Sequence, residues 1–520
     1  MQKVIQNAIY GMLAVFMALF IGSSLFLRAE YNYAVYSDKP VLQQQHLLIL
    51  LLLVIGLIVV SLVLYRLCQQ LNRYRPRIVI PIVLGISLAI QLGIILLLPR
   101  LPTDDSQTVV SLALRMLNDG DYSTFQSGGY LYMFPFNFST VLYIKALLWI
   151  FPDNYLVLKI FNILFTLVTM LMIYLIYKQL NYRSTGRDYG VLVFAATYMP
   201  ALLMSNFIYN DVIATTLLTA SLYTVIRFVK TRSIRYIVLA AILLALGNYF
   251  RSIGIIFLIA SVIYLLLYSR SIGWKKMLIS LGIMAILFNV PGWTQNAALQ
   301  ASGVVDEPTS TNAAPVYMWL NMGMNQSTFG FWDNMLSYNI YQREAEYNKA
   351  KSIPLFQQAI EDKLSSMSPG ELAELYYKKL IWTWTEGTYQ IERYGIGTER
   401  SAGGGMGFVM GGYSYSTVAT QLFAGDSVYR SGLMWVLYAM NFLMYIFVLV
   451  RLIGAIRRRR YDEAALVLII LGFIGFYLLW EIKSRYIYPV YPLLIILSYM
   501  GFKDVYDGLS RYMPFRRKGD

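Results

Sequence analysis

The chain has 520 residues, of which 58% are hydrophobic and 14% charged, against roughly 25% charged in an ordinary soluble protein. A net charge of +15 would suit a nucleic-acid binder if it formed one basic face. Here it is dealt out in short clusters between long apolar runs, which excludes that class and points to a membrane.

A spanning helix needs about 20 mostly apolar residues. Such stretches recur at roughly 7–27, 47–67, 78–98, 155–177, 189–205, 209–227, 236–250, 252–269, 277–291, 432–452, 463–480 and 486–503. The expected fold is therefore an all-α polytopic membrane protein of about twelve transmembrane helices. The first stretch follows a single Lys3 and lacks a small-residue cleavage site, so it reads as a retained helix. His46, the one histidine, heads the second and reads as an interface residue. Cys68 is the one cysteine, so no intrachain disulfide is expected.

The basic residues sit in alternate loops. They include Arg66 to Arg77, Lys178 to Arg187, Arg227 to Arg235, Arg270 to Lys276, Arg451 to Arg460, and the tail from Lys503. With Lys3 these hold 25 of the 43 lysines and arginines. That is the positive-inside pattern, and with twelve spans it puts both termini in the cytoplasm. Runs such as Arg457-Arg458-Arg459-Arg460 are also expected to meet anionic lipid headgroups.

Three regions follow: 1–291, N-terminal spans including an extracytoplasmic loop at 99–154; 292–431, an extracytoplasmic segment of about 140 residues, large enough for a small core; and 432–520, the last spans and a basic tail. The 99–154 loop opens with Pro102-Thr103-Asp104-Asp105 and an amphipathic stretch, Val109 to Leu117, that suits a helix lying in the interface. A turn-rich aromatic piece, Gln126 to Asn137, comes next. A further amphipathic stretch, roughly 138–151, could lie flat or dip into the membrane. In the second outside segment, helices are expected around 340–365 and 369–385. The Gly-rich run Ser401-Ala-Gly-Gly-Gly-Met-Gly lacks the Lys-Ser/Thr of a phosphate loop. It reads as part of a flexible loop, 386–420, over the site.

Charges at span ends are costly and mark function by default. Those that do not read as cytoplasmic anchors all fall on the outer side: Asp104 and Asp105, Asp211, Arg251, and Glu481, Lys483 and Arg485. Other origins exist for each. Acids before a helix are favoured by capping and the helix dipole. Lysines and arginines at span ends can snorkel, and Arg251 can simply pair with Asp211.

Asp104-Asp105, Tyr209-Asn210-Asp211 and Glu481-Ile-Lys-Ser-Arg485-Tyr486-Ile-Tyr-Pro-Val-Tyr-Pro492, in this order and sidedness, resemble the GT-C superfamily of membrane glycosyltransferases. The closest likeness is to family 39: protein O-mannosyltransferases and the aminoarabinose transferases of lipid A. The likeness covers about residues 78–503, with two extra spans in front; the family often has Asp-Glu where this chain has Asp-Asp. It implies transfer of a sugar from a polyprenyl phosphate to an acceptor hydroxyl, with inversion, at the extracytoplasmic face. It implies Asp104, or alternatively its neighbour Asp105, as general base; with Asp104 as the base, Asp105 would orient it or raise its pKa by like-charge repulsion. Lys483, Arg485 and Arg251 would hold the leaving phosphate, supported by Asp211, Glu481 and Tyr486. Tyr130, Tyr132, Trp382 and Trp384 are candidates to stack on sugars, although aromatics also gather at membrane interfaces. No metal site stands out; a divalent cation on Asp104, Asp105 or Asp211 remains open, since hard cations take oxygen ligands. The expected acceptor is a surface glycan, teichoic-type polymer, glycolipid or protein. Competing readings are a lipid or sugar transporter or flippase, and a polymerase or ligase with a lipid-diphosphate donor. A transporter should carry polar breaks at mid-membrane, whereas here the polar residues cluster at the outer span ends.

Overall fold

The computed structural model describes residues 2–33, 38–152, 154–180, 186–333, 336–396, 415–425 and 427–510. The Gly-rich run at 401–407 and most of the basic tail lie outside these. The apolar runs fold as helices, since in lipid a backbone must satisfy its own hydrogen bonds. The first half carries α1 (Gln2–Ser24), α2 (Leu47–Leu71), α3 (Pro76–Leu97), α4 (Asp105–Asn118), α5 (Phe138–Ile150) and α6 (Leu156–Leu180). The centre carries α7 (Gly190–Ala196), α8 (Met199–Leu203), α9 (Asp211–Thr231), α10 (Ile234–Phe250), α11 (Gly254–Leu267) and α12 (Trp274–Ala301). Then come α13 (Val316–Gly323), α14 (Lys349–Ser366), α15 (Pro369–Thr385), α16 (Val428–Arg458), α17 (Ala464–Leu479) and α18 (Tyr491–Ser510).

Each of the twelve apolar stretches falls on a helix, but the helices are uneven. Among the described residues, seven are long and apolar enough to cross a membrane: α1, α2, α3, α6, α9, α12 and α16. The pair Ser123–Met133 and Pro135–Ile150, bent by 100°, would make an eighth. The stretch 189–205 is broken into α7 and α8, with Pro200 just past the break. α10, α11 and α17 are shorter apolar helices, and α18 carries Lys503, Asp504 and Asp507 near its end.

Burial separates the outer helices from the central one. Only 11% of the apolar window of α2 is buried in protein, against 78% for α9. α2 thus turns Leu48, Leu52, Ile55 and Val59 outward, as a lipid-facing helix should. α9 tolerates Thr215, Thr216 and Thr219 because each hydroxyl donates to the carbonyl four residues back. α16 and α18 approach so closely that a Cβ on Gly501 would meet the Phe447 carbonyl.

The amphipathic stretch after Asp104 packs against α5, burying Val109, Val110, Leu112, Ala113 and Met116, so its apolar face meets protein and not lipid. α14 and α15 lie where helices were expected; α15 starts with a capping box between Ser368 and Glu371. α12 continues to Ala301, across position 291. One element has no trace in the apolar pattern. Between α1 and α2 the chain forms an antiparallel hairpin, β1 (Leu27–Asn32) and β2 (Lys39–Gln44), registered from Leu27 opposite Gln44 to Asn32 opposite Lys39.

The helix ends sort into two sets. The C-terminal ends of α10 and α17 and the N-terminal ends of α4, α9 and α11 surround one cavity, with the hairpin beside them. The opposite ends carry the basic loops, tied together by Arg187 to the carbonyls of Arg73 and Tyr74 and by Lys276 to that of Arg232.

Candidate active site

The cavity encloses about 930 Å³, at the upper end of what a small-molecule site uses. Its polar wall starts with the two acids. Asp104 is the residue before α4 and has φ 56°, ψ −132°, a conformation that L residues rarely adopt. Both its oxygens accept from Arg393, at 2.8 Å from Nε and 2.9 Å from Nη2. Asp105 begins α4. Its Oδ1 accepts from the Tyr130 hydroxyl at 3.3 Å. Tyr130 in turn accepts from Asn137 Nδ2 at 2.8 Å, and Asn137 Oδ1 accepts from Tyr209 at 2.9 Å. This chain runs donor to acceptor from Tyr209 to Asp105. Both carboxylates keep about two-fifths of their side chains exposed.

Arg485 faces them. It is 2% exposed, and its Nη2 lies 3.9 Å from Asp105 Oδ2. The rings of Tyr394, Phe207 and Tyr209 lie 4.9 to 5.3 Å from its guanidinium carbon, within cation–π range. Burial works against its charge, but Tyr394, Tyr486 and Asp105 outweigh it, and its pKa ends above the usual value. Its Nε and Nη1 are buried with no hydrogen-bond partner among the described residues. Unpaired buried donors are rare in folded proteins and require an explanation.

Lys483 lines the same wall, its Nζ 5.3 Å from the Trp332 ring and 5.9 Å from that of Tyr486. Glu481 is fully buried behind it and accepts from the Tyr486 hydroxyl. Burial raises the Glu481 pKa, opposed by Lys483. Arg251 also reaches the cavity, but its guanidinium is ion-paired with the buried Asp211. Asp211 is therefore engaged behind the wall. Among the described residues no group of three or more His, Cys, Asp or Glu could hold a metal, so Asp104, Asp105 and Asp211 do not form one ligand set.

The expected stacking residues divide. Tyr130 lines the cavity. Tyr132 packs instead on a small apolar cluster with Met133, Met318 and Phe356. Trp382 and Trp384 are fully buried: Trp382 donates to the Glu30 carbonyl and packs on Tyr31, and Trp384 stacks on Phe20. Neither presents a face to a sugar, because α15 turns that side into the core. The tryptophans that do line the cavity are Trp319, Trp332 and Trp480, with Trp319 stacked on Trp480 at 5.6 Å.

Asp38, Arg393 and Asn137 were missed as site residues. Asp38 and Arg393 come from segments without periodicity or motif, although Arg393 falls in the 386–420 loop expected over the site. Asn137 stands in the aromatic piece already singled out, and the polar end of that piece was the available signal. The apolar side of the cavity is formed by Ile253 and Ile255, at the start of α11, and by Phe476 and Trp480, at the end of α17.

Residues 140–293 match the model of a family described as dolichyl-phosphate-mannose-protein mannosyltransferase. That segment holds Asp211 and Arg251; it begins after Asp105 and ends before Glu481. Among solved structures, the chain is similar to the archaeal oligosaccharyltransferase AglB from Archaeoglobus fulgidus, in complex with an inhibitory peptide and a dolichol-phosphate. The identity is 13% and the TM-score 0.40, over 85% of this chain and 53% of that one. The chain thus spans about half the length of that protein. No curated protein matches it. The likeness to GT-C membrane glycosyltransferases read from the three motifs is therefore met independently in the segment 140–293.

Proposed function

We propose that this protein transfers a sugar from a polyprenyl-phosphate donor to a hydroxyl of a cell-envelope acceptor, with inversion, at the extracytoplasmic face. One observation carries the reading. Arg485 is a buried cation on the cavity wall, its Nη2 toward Asp105, beside two carboxylates open to the same space. A phosphate bound in the cavity gives the guanidinium a second anionic partner beside Asp105.

The step then runs as follows. Asp104 takes the proton of the acceptor hydroxyl as its oxygen attacks the anomeric carbon. The bond from that carbon to the phosphate oxygen breaks on the opposite face, and the lipid phosphate leaves with both electrons. Arg485, with Lys483 nearby, stabilises the charge that gathers on it. Asp105, held by Tyr130, orients the acceptor. Arg251 acts chiefly through Asp211, bracing the wall. Ile253, Ile255, Phe476 and Trp480 give an isoprenoid chain an apolar lip, and Trp319 and Trp332 line the space beside it. The basic loops at the opposite helix ends favour cytoplasmic termini. The acceptor is a surface glycan, teichoic-type polymer, glycolipid or protein.

The test uses purified protein, a panel of polyprenyl-phosphate sugars and a membrane extract, with release of free polyprenyl phosphate as the readout. Asp104→Asn is expected to lower turnover at least about a thousandfold, and Arg485→Lys about a hundredfold. Turnover unchanged in Asp104→Asn and in Asp105→Asn removes both acids from the chemistry.

A further inference from the structure

We propose that Arg393 is a positioning residue for Asp104, anchored on its far edge by Asp38 of the β1–β2 hairpin; this rests on the transferase reading above. Arg393 lies in the turn Glu392–Ile396. Two edges of its guanidinium are used. Nε and Nη2 donate to the two Asp104 oxygens at 2.8 and 2.9 Å. Nη1 donates to both Asp38 oxygens, at 2.6 and 2.5 Å. Paired parallel N–H···O bonds fix the plane of a carboxylate as well as its place.

Asp104 needs such fixing. Its φ of 56° is strained, and its side chain is 41% exposed, so packing holds it loosely. The surroundings of Arg393 are built to present it. Arg100, 5% exposed, donates from Nε to the Arg393 carbonyl at 3.1 Å and from Nη2 to the Thr103 hydroxyl at 3.3 Å. One buried side chain therefore ties Arg393 to Thr103, the residue before Asp104. Upstream, Tyr389 and Gln390 take φ of 55° and 58° although each is only 1% exposed. The Glu386 carboxylate holds that bend by accepting from the Thr388 and Tyr389 amides at 3.0 Å. Strained backbone persists only where its surroundings over-determine it, and it gathers at functional sites. The fork presents the base to the acceptor hydroxyl by holding both Asp104 oxygens, and it touches the base and not the sugar or the phosphate.

Asp38 acts through Arg393, so its loss should cost turnover only while Arg393 is present. The experiment measures kcat and donor KM for the full-length protein in lipid nanodiscs. It compares Arg393→Ala, Arg393→Lys, Asp38→Asn and the Asp38→Asn/Arg393→Ala double variant. Arg393→Ala is expected to lower kcat about a hundredfold with donor KM within about twofold, because misorientation costs the chemical step and not binding. Arg393→Lys, with no fork, should recover at most about a tenth of wild-type kcat. Asp38→Asn alone should cost about fivefold, and nothing further in the Arg393→Ala background. The lysine and asparagine variants keep the test open if alanine does not fold. Losses that multiply in the double variant, or Arg393→Lys at wild-type kcat, overturn the positioning role. Arg393→Ala active while Asp104→Asn is dead sinks this inference and leaves the transferase standing. Asp104→Asn at wild-type rate sinks the assignment of the base, and the role of Arg393 with it.

Discussion

At the scale of single residues, the hydrogen-bond chain from Tyr209 to Asp105 has a direction that can be tested. Tyr130 is its hinge, accepting from Asn137 and donating to Asp105. Tyr130→Phe removes both bonds and leaves the ring in place. Asp105 loses its donor, and Asn137 Nδ2 loses its acceptor. The expected result is a fall in kcat of about tenfold with a stability loss of about 1–3 kcal/mol, checked by steady-state kinetics beside thermal unfolding. A wild-type kcat would mean that Asp105 needs no orientation from this chain. The residues legible in the sequence were those whose position was costly. Asp104, Asp105, Lys483 and Arg485 stand at the ends of apolar runs, where a charge needs a reason. Asp38 and Arg393 stand in polar surroundings, where a charge needs none. Trp382 and Trp384 misled because a tryptophan pair near an interface has the same letters whether it faces a cavity or the core.

At the scale of elements, the loop that carries Lys483 and Arg485 is held by contacts from distant segments. Ile482 donates its amide to the Gly330 carbonyl at 2.9 Å, beside a parallel bridge between Phe331 and Ile482. Tyr31 of β1 shares a hydrogen bond with the Ser484 hydroxyl at 3.1 Å and accepts from the Ser484 amide. Gly330 has φ 77°, and a Cβ there would lie 2.6 Å from the Gly323 carbonyl oxygen, a backbone atom that cannot swing aside. Gly330→Ala is therefore expected to destabilise the protein by about 1–3 kcal/mol and to lower kcat through displacement of Ile482. A lowered melting temperature with unchanged kcat would uncouple this turn from the site. Runs of about 20 apolar residues made the helices legible. The hairpin was not: Arg28-Ala-Glu-Tyr-Asn32 has too little alternation to announce a strand, and its pairing is stabilised by α15 and the 481–485 loop, both hundreds of residues away.

At the scale of the whole molecule, charge and site divide between the two ends of the helix bundle, and this division predicts an orientation. Short basic loops resist crossing a membrane, so the end with Arg187, Arg232, Lys276 and Arg459 should stay in the cytoplasm and the cavity should open outside. Cys68 is 1% exposed, so it should be nearly silent to a polar thiol reagent, and Cys68→Ala removes it altogether. In that background, Asp362→Cys on α14 should react with a membrane-impermeant maleimide on intact cells. Lys276→Cys and Arg459→Cys, both at exposed positions, should react only after the membrane is opened. Labelling in the reverse pattern would place the carboxylates and Arg485 in the cytoplasm, where nucleotide-activated sugars are plentiful and a lipid-linked donor has no advantage. The orientation experiment therefore bears on the donor as well as on the topology: an outward cavity has no access to cytoplasmic nucleotide sugars, and a sugar delivered on a lipid phosphate matches both the apolar lip and the buried guanidinium beside it.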